Sequence, residues 1–289
     1  MDLGKNISVV LPAKNEQAGL SRVLPKLREL FGDVEIIVVD DGSTDDSAAV
    51  AQAHGATVIS NPYPMGNGAA IKRGARAASG ELIVFMDADG QHDPGLIPKL
   101  IAAMQHGFDM CVGARTWSGQ ASVGRGMANA LYNSLASWMT GHRVADLTSG
   151  FRVVRADRFK EILHLLPNGF SYPTTCTMAF FRSAWSVCYV PVDVAKRVGT
   201  ESHIRPIKDG IRFLLIIFKI ATLFSPLKLF VPVSLAFLVT GLSYYGYTYL
   251  TTGRLTNMST LLFSAAVIIF LIGLISEQIT MLMYRGRGG

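Results

Sequence analysis

The sequence predicts an α/β domain built on a mostly parallel sheet, followed by two membrane-length helices. Three observations predict it. Apolar strand runs alternate with amphipathic helical segments over the first hundred residues. Polar groups recur at the ends of three of those runs, at Pro12–Glu16, Asp40–Asp41 and Asp87–Asp89. Residues 229–253 and 255–276 contain no Asp, Glu, Lys or Arg, and each stretch is long enough to cross hydrocarbon as a helix.

The elements follow in chain order. Ile7 to Leu11 is an apolar run closed by Pro12. Gln17 to Phe31 carries Leu20, Val23, Leu24, Leu27 and Leu30 at helical spacing. Val34 to Val39 reads as the second strand and stops at Asp40-Asp41-Gly42. Ser43 is then placed to cap a helix over Asp45–His54. Thr57 to Ile59 is a short strand, Asn67 to Ala78 a third helix and Leu82 to Met86 a fourth strand. Such alternation predicts helices on both faces of a parallel sheet, with ligands bound at the carboxyl ends of its strands. The middle is mixed: a strand at Phe108–Val112, a helix at Met127–Thr140, a turn at Asp146–Arg152 leading into Val153-Val154, and a late strand at Val187–Val192. From Pro206 to Phe224 one face carries Ile211, Leu214, Leu215, Phe218 and Leu223, with Lys208, Arg212 and Lys219 off it. That pattern predicts an amphipathic helix lying on a membrane. Pro226 ends it before the first span.

The expected organisation is an amino-terminal domain over 1–203, a juxtamembrane segment over 204–228 and a transmembrane hairpin over 229–289, with spans near 229–250 and 259–282. The chain has 289 residues, of which 17% are charged. The mean hydropathy of +0.32 is high for a soluble protein, and the apolar excess sits in the hairpin. Pro232 falls near the start of the first span, where a missing N–H is tolerable. The first residues carry Asp2 and no apolar core, so the amino-terminal domain is expected to be cytoplasmic. The link 251–258, with Arg254 alone, faces outward and the flanking Lys and Arg face inward. The localisation expected is the bacterial cytoplasmic (inner) membrane.

The net charge of +6 gathers before the first span, at Lys196, Arg197, Arg205, Lys208, Arg212, Lys219 and Lys228. Such a surface is topogenic and attracts anionic headgroups. Nucleic acid is not expected as a partner, because nothing in the basic stretch resembles a reading module. Cys111, Cys176 and Cys188 lack metal-ligand spacing and suit a reduced domain as core thiols. Glu277 and Gln278, late in the second span, suit an interfacial position or a subunit contact. Tyr244, Tyr245, Tyr247 and Tyr249 suit an aromatic belt.

The chemistry-bearing pattern is Asp87-Ala88-Asp89-Gly90-Gln91-His92 at the end of the fourth strand. Alternate residues at a strand end point the same way, so Asp87 and Asp89 can converge on one cation, with Gln91 next in line. Hard ions such as Mg²⁺ or Mn²⁺ favour oxygen ligands and share them with phosphates. Taken by itself, the same tripeptide also serves as a polar turn after a buried strand.

The wider set of motifs decides between those readings. Leu11-Pro-Ala-Lys-Asn-Glu16, Val39-Asp-Asp-Gly-Ser-Thr-Asp45, Gly66-Asn-Gly-Ala-Ala-Ile71, Asp87–His92, Gly113-Ala-Arg115 and Thr148-Ser-Gly-Phe-Arg152 together resemble the family-2 glycosyltransferases of GT-A (Rossmann-like) fold. Within them the chain is most similar to the polyprenyl-phosphate glycosyltransferases, the group that includes dolichol-phosphate mannose synthase. The resemblance covers residues 6–200, and the two C-terminal spans match bacterial members.

The resemblance implies roles. Pro12, Ala13, Glu16, Asp40, Asp41, Lys72, Asp87, Ala88 and Asp89 are expected at the nucleotide-sugar donor. Asp87, Asp89 and Gln91 are expected at the metal, Mg²⁺ or Mn²⁺. Arg115, Arg152, Arg197 and Arg205 are expected at the phosphate of a polyprenyl phosphate acceptor, since arginines bind phosphate bidentately. Asp89, Asp146, Arg115 and Arg152 form the expected catalytic set. Acceptor phosphate is already ionised near pH 7, so inverting transfer of one sugar needs positioning more than a base. Two departures stand out. Relatives carry Gly-Lys-Gly where this chain has Gly66-Asn67-Gly68, with Lys72 a turn later. They carry Gly-x-Ser-Lys where it has Gly199-Thr200-Glu201-Ser202-His203, with His203 or Arg205 as substitutes. A polysaccharide-type synthase is the first alternative; those enzymes carry Gln-x-x-Arg-Trp and further spans, and this chain has neither. A catalytically inactive nucleotide-sugar-binding protein is the second. The paired spans and the juxtamembrane helix also offer surface for a homo-oligomer.

Overall fold

The computed structural model describes residues 6–115, 123–169, 171–193, 218 and 222–284, with backbone alone over 123–129 and at 284. The chain divides into two compact units, Met1–His203 and Ile204–Gly289.

The first unit is a seven-stranded sheet in the order β3-β2-β1-β4-β6-β5-β7. Its strands are β1 (Ile7–Ala13), β2 (Glu35–Asp40), β3 (Thr57–Ser60), β4 (Leu82–Phe85), β5 (Met110–Arg115), β6 (Arg152–Arg155) and β7 (Val187–Val192). Strands β3, β2, β1 and β4 are parallel neighbours, and β5 is parallel to β7. Strand β6 runs antiparallel to both β4 and β5. Apolar content marks β6 as a strand but says nothing of its direction, which the tight turn before it decides.

Helices α1 (Gln17–Phe31), α2 (Ser47–Ala53), α3 (Asn67–Ala77), α4 (Ile97–Met104), α5 (Val123–Thr140), α6 (Ala156–Glu161) and α7 (Tyr172–Arg182) connect the strands. Strands β1 and β2 are buried almost throughout, which is why they read as continuous apolar runs rather than alternating ones. Leu20, Val23, Leu24 and Leu27 of α1 pack against them, each worth about 1.5–3 kcal/mol of burial. Leu30, expected on the same face, is 47% exposed, because the last turn of α1 runs past the sheet. Ser43 does not cap α2. Its Oγ accepts the Asn15 N–H at 2.9 Å, and the Asp45 carboxylate takes the Ser47 N–H at 3.1 Å. The two reactions to one sequence signal follow from the loop's need to strap β1 to β2.

All three cysteines are free, with Cys111 and Cys176 in the core. Gly19 of α1 lies against the backbone after β4, where a Cβ would stand 2.1 Å from the Ala88 carbonyl oxygen. Only glycine permits that approach, so α1 seats the Asp87–Asp89 loop.

The second unit contains two helices long and apolar enough to cross a membrane, α8 (Pro226–Thr252) and α9 (Asn257–Tyr284). Pro226 occupies the first turn of α8, so Pro232 lies inside the helix, contrary to expectation. Gly253 ends α8 at φ 64, the left-handed cap that glycine favours. The hairpin closes through small residues: a Cβ on Gly241 would meet the Phe263 ring at 3.0 Å, and one on Gly273 would meet Phe230 at 2.7 Å. Ser234 Oγ donates across to the Ala266 carbonyl at 2.8 Å. Glu277 is 9% exposed within this unit. The amphipathic helix expected over 206–224 lies outside the described residues, apart from helical Phe218 and 222–224.

Candidate active site

A cavity of about 640 Å³ opens at the carboxyl edge of the sheet. Its wall brings together Pro12, Ala13, Lys14 and Glu16 after β1, Asp41 after β2, Met65–Asn67 before and in α3, and Asp87–Asp89 after β4. Thr148, Gly150, Tyr172 and Pro173 close it from the other side. The volume is that of a site for a nucleotide-sized ligand.

The β1 end is held rigidly. Asn15 adopts a left-handed φ of 54, and three successive N–H groups, of Asn15, Glu16 and Gln17, donate to Ser43, Ser47 and Asp45 side chains. Lys14 is thereby presented on the wall, a residue that motif reasoning passed over. The signal was present: Lys14 lies inside the Leu11–Glu16 motif. Among the described residues no hydrogen bond or ion pair occupies Lys14, whereas Lys72, Arg73, Arg115 and Arg152 are all engaged elsewhere.

At the β2 end the two aspartates separate. Asp40 is buried, accepts the Ser43 N–H at 3.0 Å and does not line this cavity. Asp41 is on the wall, but its carboxylate already accepts from Asn61 Nδ2 (2.6 Å), Met65 N (2.7 Å) and Gly66 N (2.8 Å). It shapes the loop that enters α3. Lys72 does not line the cavity; its Nζ donates to the Leu166 carbonyl at 3.1 Å and to Asn168 Oδ1. It ties α3 to the segment before α7.

After β4, Asp87 and Asp89 both face the cavity, and Asp87 keeps 37% of its side chain exposed. Asp89 Oδ1 accepts the Gln91 N–H at 3.0 Å, a local turn bond. Gln91 does not line this cavity, and its backbone N–H meets Asp89; its expected place as a third metal ligand stays a proposal. Enclosure raises the Asp87 pKa; the charge of His92 opposes this and that of Asp89 adds to it. Among the described residues no group of three His, Cys, Asp or Glu side chains gathers as a metal site. Asp87 and Asp89 both line the cavity, a donor set suited to a hard cation that takes its other oxygens from phosphate or water.

The opposite wall is the 145–150 turn. Arg115 donates through Nε to Asp146 Oδ2 at 2.8 Å, through Nη2 to Asp146 Oδ1 at 3.0 Å, and to Thr148 Oγ1. Burial alone would raise the Asp146 pKa, but the Arg115 bonds and charge prevail and hold it below the ordinary value. Asn133 of α5 clamps the same turn, donating to the Ala145 carbonyl (2.7 Å) and accepting from Leu147 N (2.9 Å). Gly150 then lies against Asp87, where a Cβ would stand 2.9 Å from Oδ2. Neither Arg115 nor Arg152 lines this cavity. Arg152 is 0% exposed, with Nη1 donating to the Pro173 carbonyl at 3.1 Å and Nη2 to the Ser149 carbonyl. It braces the turn from beneath. Arg197 and Arg205 lie outside the described residues.

The Arg115–Asp146 pair yields a stability prediction. Arg115→Ala leaves a buried carboxylate without its counter-ion and is expected to cost about 1–3 kcal/mol at neutral pH, discounted because Arg115 is 30% exposed. A depressed carboxyl stabilises the fold above its ordinary value of 3.8 and loses that contribution as pH falls through the lowered one. Thermal melts of the two proteins should therefore differ most near neutrality and converge in acid.

Comparison with known proteins adds the family. Residues 8–163 match the model of glycosyl transferase family 2, and residues 225–282 match the GtrB C-terminal hairpin. An uncharacterized glycosyltransferase of Mycobacterium tuberculosis is 33% identical over 211 residues, covering 70% of this chain and 90% of the relative. An undecaprenyl-phosphate 4-deoxy-4-formamido-L-arabinose transferase of Edwardsiella ictaluri is 34% identical over 168 residues, covering 55% of this chain and 51% of that enzyme. This chain thus spans about half the length of that transferase. Glucosyl-3-phosphoglycerate synthase from Mycobacterium tuberculosis, solved with Mn²⁺, UDP and phosphoglyceric acid, superposes with a TM-score of 0.60 at 26% identity, covering 75% of this chain and 78% of the synthase.

Proposed function

Because this chain belongs to glycosyl transferase family 2, we propose that it moves a single sugar from a nucleotide-sugar donor to a polyprenyl phosphate. The donor is UDP-linked in preference to GDP-linked, and the reaction takes place at the cytoplasmic face of a bacterial inner membrane. The observation that carries the reading is the convergence of Pro12–Glu16, Asp41 and Asp87–Asp89 on one cavity at the sheet's carboxyl edge. The matched GtrB hairpin and the undecaprenyl-phosphate substrate named for the Edwardsiella relative support a lipid acceptor. The UDP and Mn²⁺ held by the superposed synthase support a nucleotide donor and a divalent cation.

The chemistry follows from charge. The cavity wall carries Glu16, Asp41, Asp87 and Asp89 against one lysine, so a diphosphate enters favourably only with a cation. Asp87 and Asp89 would hold Mg²⁺ or Mn²⁺ there; when bound, the ion neutralises charge on the departing nucleotide. The first-strand segment holds the nucleotide, with Lys14 adding a positive charge. The 148–150 turn and Tyr172-Pro173 enclose the far side and exclude water from the sugar. An acceptor phosphate oxygen bonds to the anomeric carbon as the bond to the diphosphate breaks, which inverts the centre. Arg197 and Arg205 are proposed to meet the acceptor phosphate, and Arg115 and Arg152 to keep the turn in place. The paired spans leave room for a homo-oligomer.

The test uses membranes containing the full chain, with Mg²⁺ or Mn²⁺, labelled nucleotide-sugars and undecaprenyl phosphate. One organic-extractable lipid carrying one sugar is the expected product. Aqueous polymer would indicate a polysaccharide synthase instead, and no transfer from any donor would indicate a nucleotide-sugar-binding protein.

A pH dependence also follows. Ionising Asp87, whose pKa lies above the ordinary 3.8, costs the fold stability as pH rises through that interval, and a bound cation offsets the cost. Thermal stabilisation by Mn²⁺ should therefore be larger at neutral pH than in mild acid, where a proton competes. A scan of melting temperature against pH, with and without Mn²⁺, measures this.

A further inference from the structure

The His92 imidazole poses a question that its motif does not answer. It is 7% exposed, and its Nδ1 finds no hydrogen-bond partner among the described residues. A buried polar atom left unpaired is costly and calls for a reason. The ring stacks on Phe151, with centroids 5.1 Å apart and planes at 25°. Phe151 is itself fully buried, and its carbonyl accepts the Gly113 N–H at 2.9 Å, so the stack rests on a fixed strand end. Held this way, Nδ1 faces Asp87 Oδ2 at 4.0 Å. Gly150 packs against the same oxygen and brings no side chain to it.

We propose that His92 is a positioning residue that donates from Nδ1 to Asp87 Oδ2 and so turns the other carboxylate oxygen, Oδ1, toward the cavity. The inference rests on the reading of Asp87 as a cation ligand and deepens it. A movement of about 1 Å by either side chain brings the pair into hydrogen-bond range. Once made, the bond satisfies the orphan nitrogen and fixes which lone pairs remain for a cation. Partners that orient a liganding carboxylate in this way commonly govern affinity about 10–100-fold.

Substitutions separate the hydrogen bond from the stacking. His92→Phe keeps a ring on Phe151 and removes the donor. His92→Gln moves the amide past the Nδ1 position. His92→Asn places an N–H close to where Nδ1 stood. Full-length protein in detergent is titrated with Mn²⁺ in the presence of UDP, and free Mn²⁺ is read by electron paramagnetic resonance. H92F and H92Q should bind Mn²⁺ about 10-fold or more weakly, and H92N within about 3-fold of wild type. Folding is checked by melting temperature, and either removal variant suffices if the other does not fold. Wild-type affinity in a folded H92F or H92Q overturns the proposal. So does equal loss in H92N, because the donor would then not be what matters. Absence of Mn²⁺ binding by the wild-type protein overturns the metal reading of Asp87 itself, and this proposal with it.

Discussion

Asp89→Ala should abolish sugar transfer while leaving the protein folded. Asp89 is half-buried at the cavity wall, and its Oδ1 accepts the Gln91 N–H at 3.0 Å. Losing that turn bond costs about 1 kcal/mol, well within what a domain of this size tolerates. The effect on chemistry is far larger. Charge neutralisation by a bound cation is worth several kcal/mol in the transition state, and each 1.36 kcal/mol is tenfold in rate, so a fall of about 10³-fold or more is expected. Asp89→Asn distinguishes the two roles, because the amide oxygen still accepts from Gln91 but carries no charge. If Asp89 serves only the turn, the asparagine variant keeps its activity. If it holds a cation, the asparagine variant fails nearly as badly as alanine. The initial rate of lipid-linked sugar formation and the melting temperature, measured on the same preparations, settle it; near-normal turnover by Asp89→Ala removes the metal assignment.

Gly150→Ala should lower turnover about 100-fold with little change in melting temperature. A Cβ at this position would stand 2.9 Å from Asp87 Oδ2 and 3.1 Å from Oδ1, closer than side chains pack. Gly150 does not lie in the left-handed region, so alanine adopts its backbone without strain. The neighbour that must give way is a single cavity-facing carboxylate, which can swing into the opening. Stability is therefore spared, but Asp87 leaves its position, and a displacement of about 1 Å in a reactive arrangement costs about 10²-fold. Gly141→Ala is the matching control. Gly141 has φ 75 and open space around it, so alanine strains the backbone there and lowers the melting temperature without touching the site. A Gly150→Ala enzyme with normal turnover would show that the turn does not set the position of Asp87.

Much of the first unit was legible along the chain. The strand ends at Pro12–Glu16, Asp41 and Asp87–Asp89 do meet at one edge, because parallel strands with helical crossovers deliver every carboxyl end to the same side. The family resemblance and the two membrane-length helices were equally plain, since both are properties of local pattern. Individual side chains were less legible. Motif position put Asp40, Lys72, Gln91, Arg115 and Arg152 at ligands, and the structure adds the protein partners of Asp40, Lys72, Arg115 and Arg152, which spacing does not reveal. Motifs mark the residues a site depends on without separating those that touch a ligand from those that hold its walls. Arg152 shows why: whether a guanidinium faces a cavity or the carbonyls beneath it depends on the direction of β6, which no periodicity encodes.

What the sequence determined by itself is the chemistry available: five carboxylates, Glu16, Asp40, Asp41, Asp87 and Asp89, at strand ends, and an apolar hairpin to follow. Those are matters of residue type and spacing, and they follow from strand and helix periods alone. What only the tertiary structure decided is the neutralisation of each charge. Asp146 meets Arg115, Asp41 meets three N–H donors, and Lys14 and the Asp87–Asp89 pair stay open to the cavity. The physical reason is that a buried charge must find its partner within a few ångströms, and partners far apart in sequence, such as Arg115 and Asp146 (31 apart) or Asp41 and Gly66 (25 apart), become neighbours only when the chain has folded.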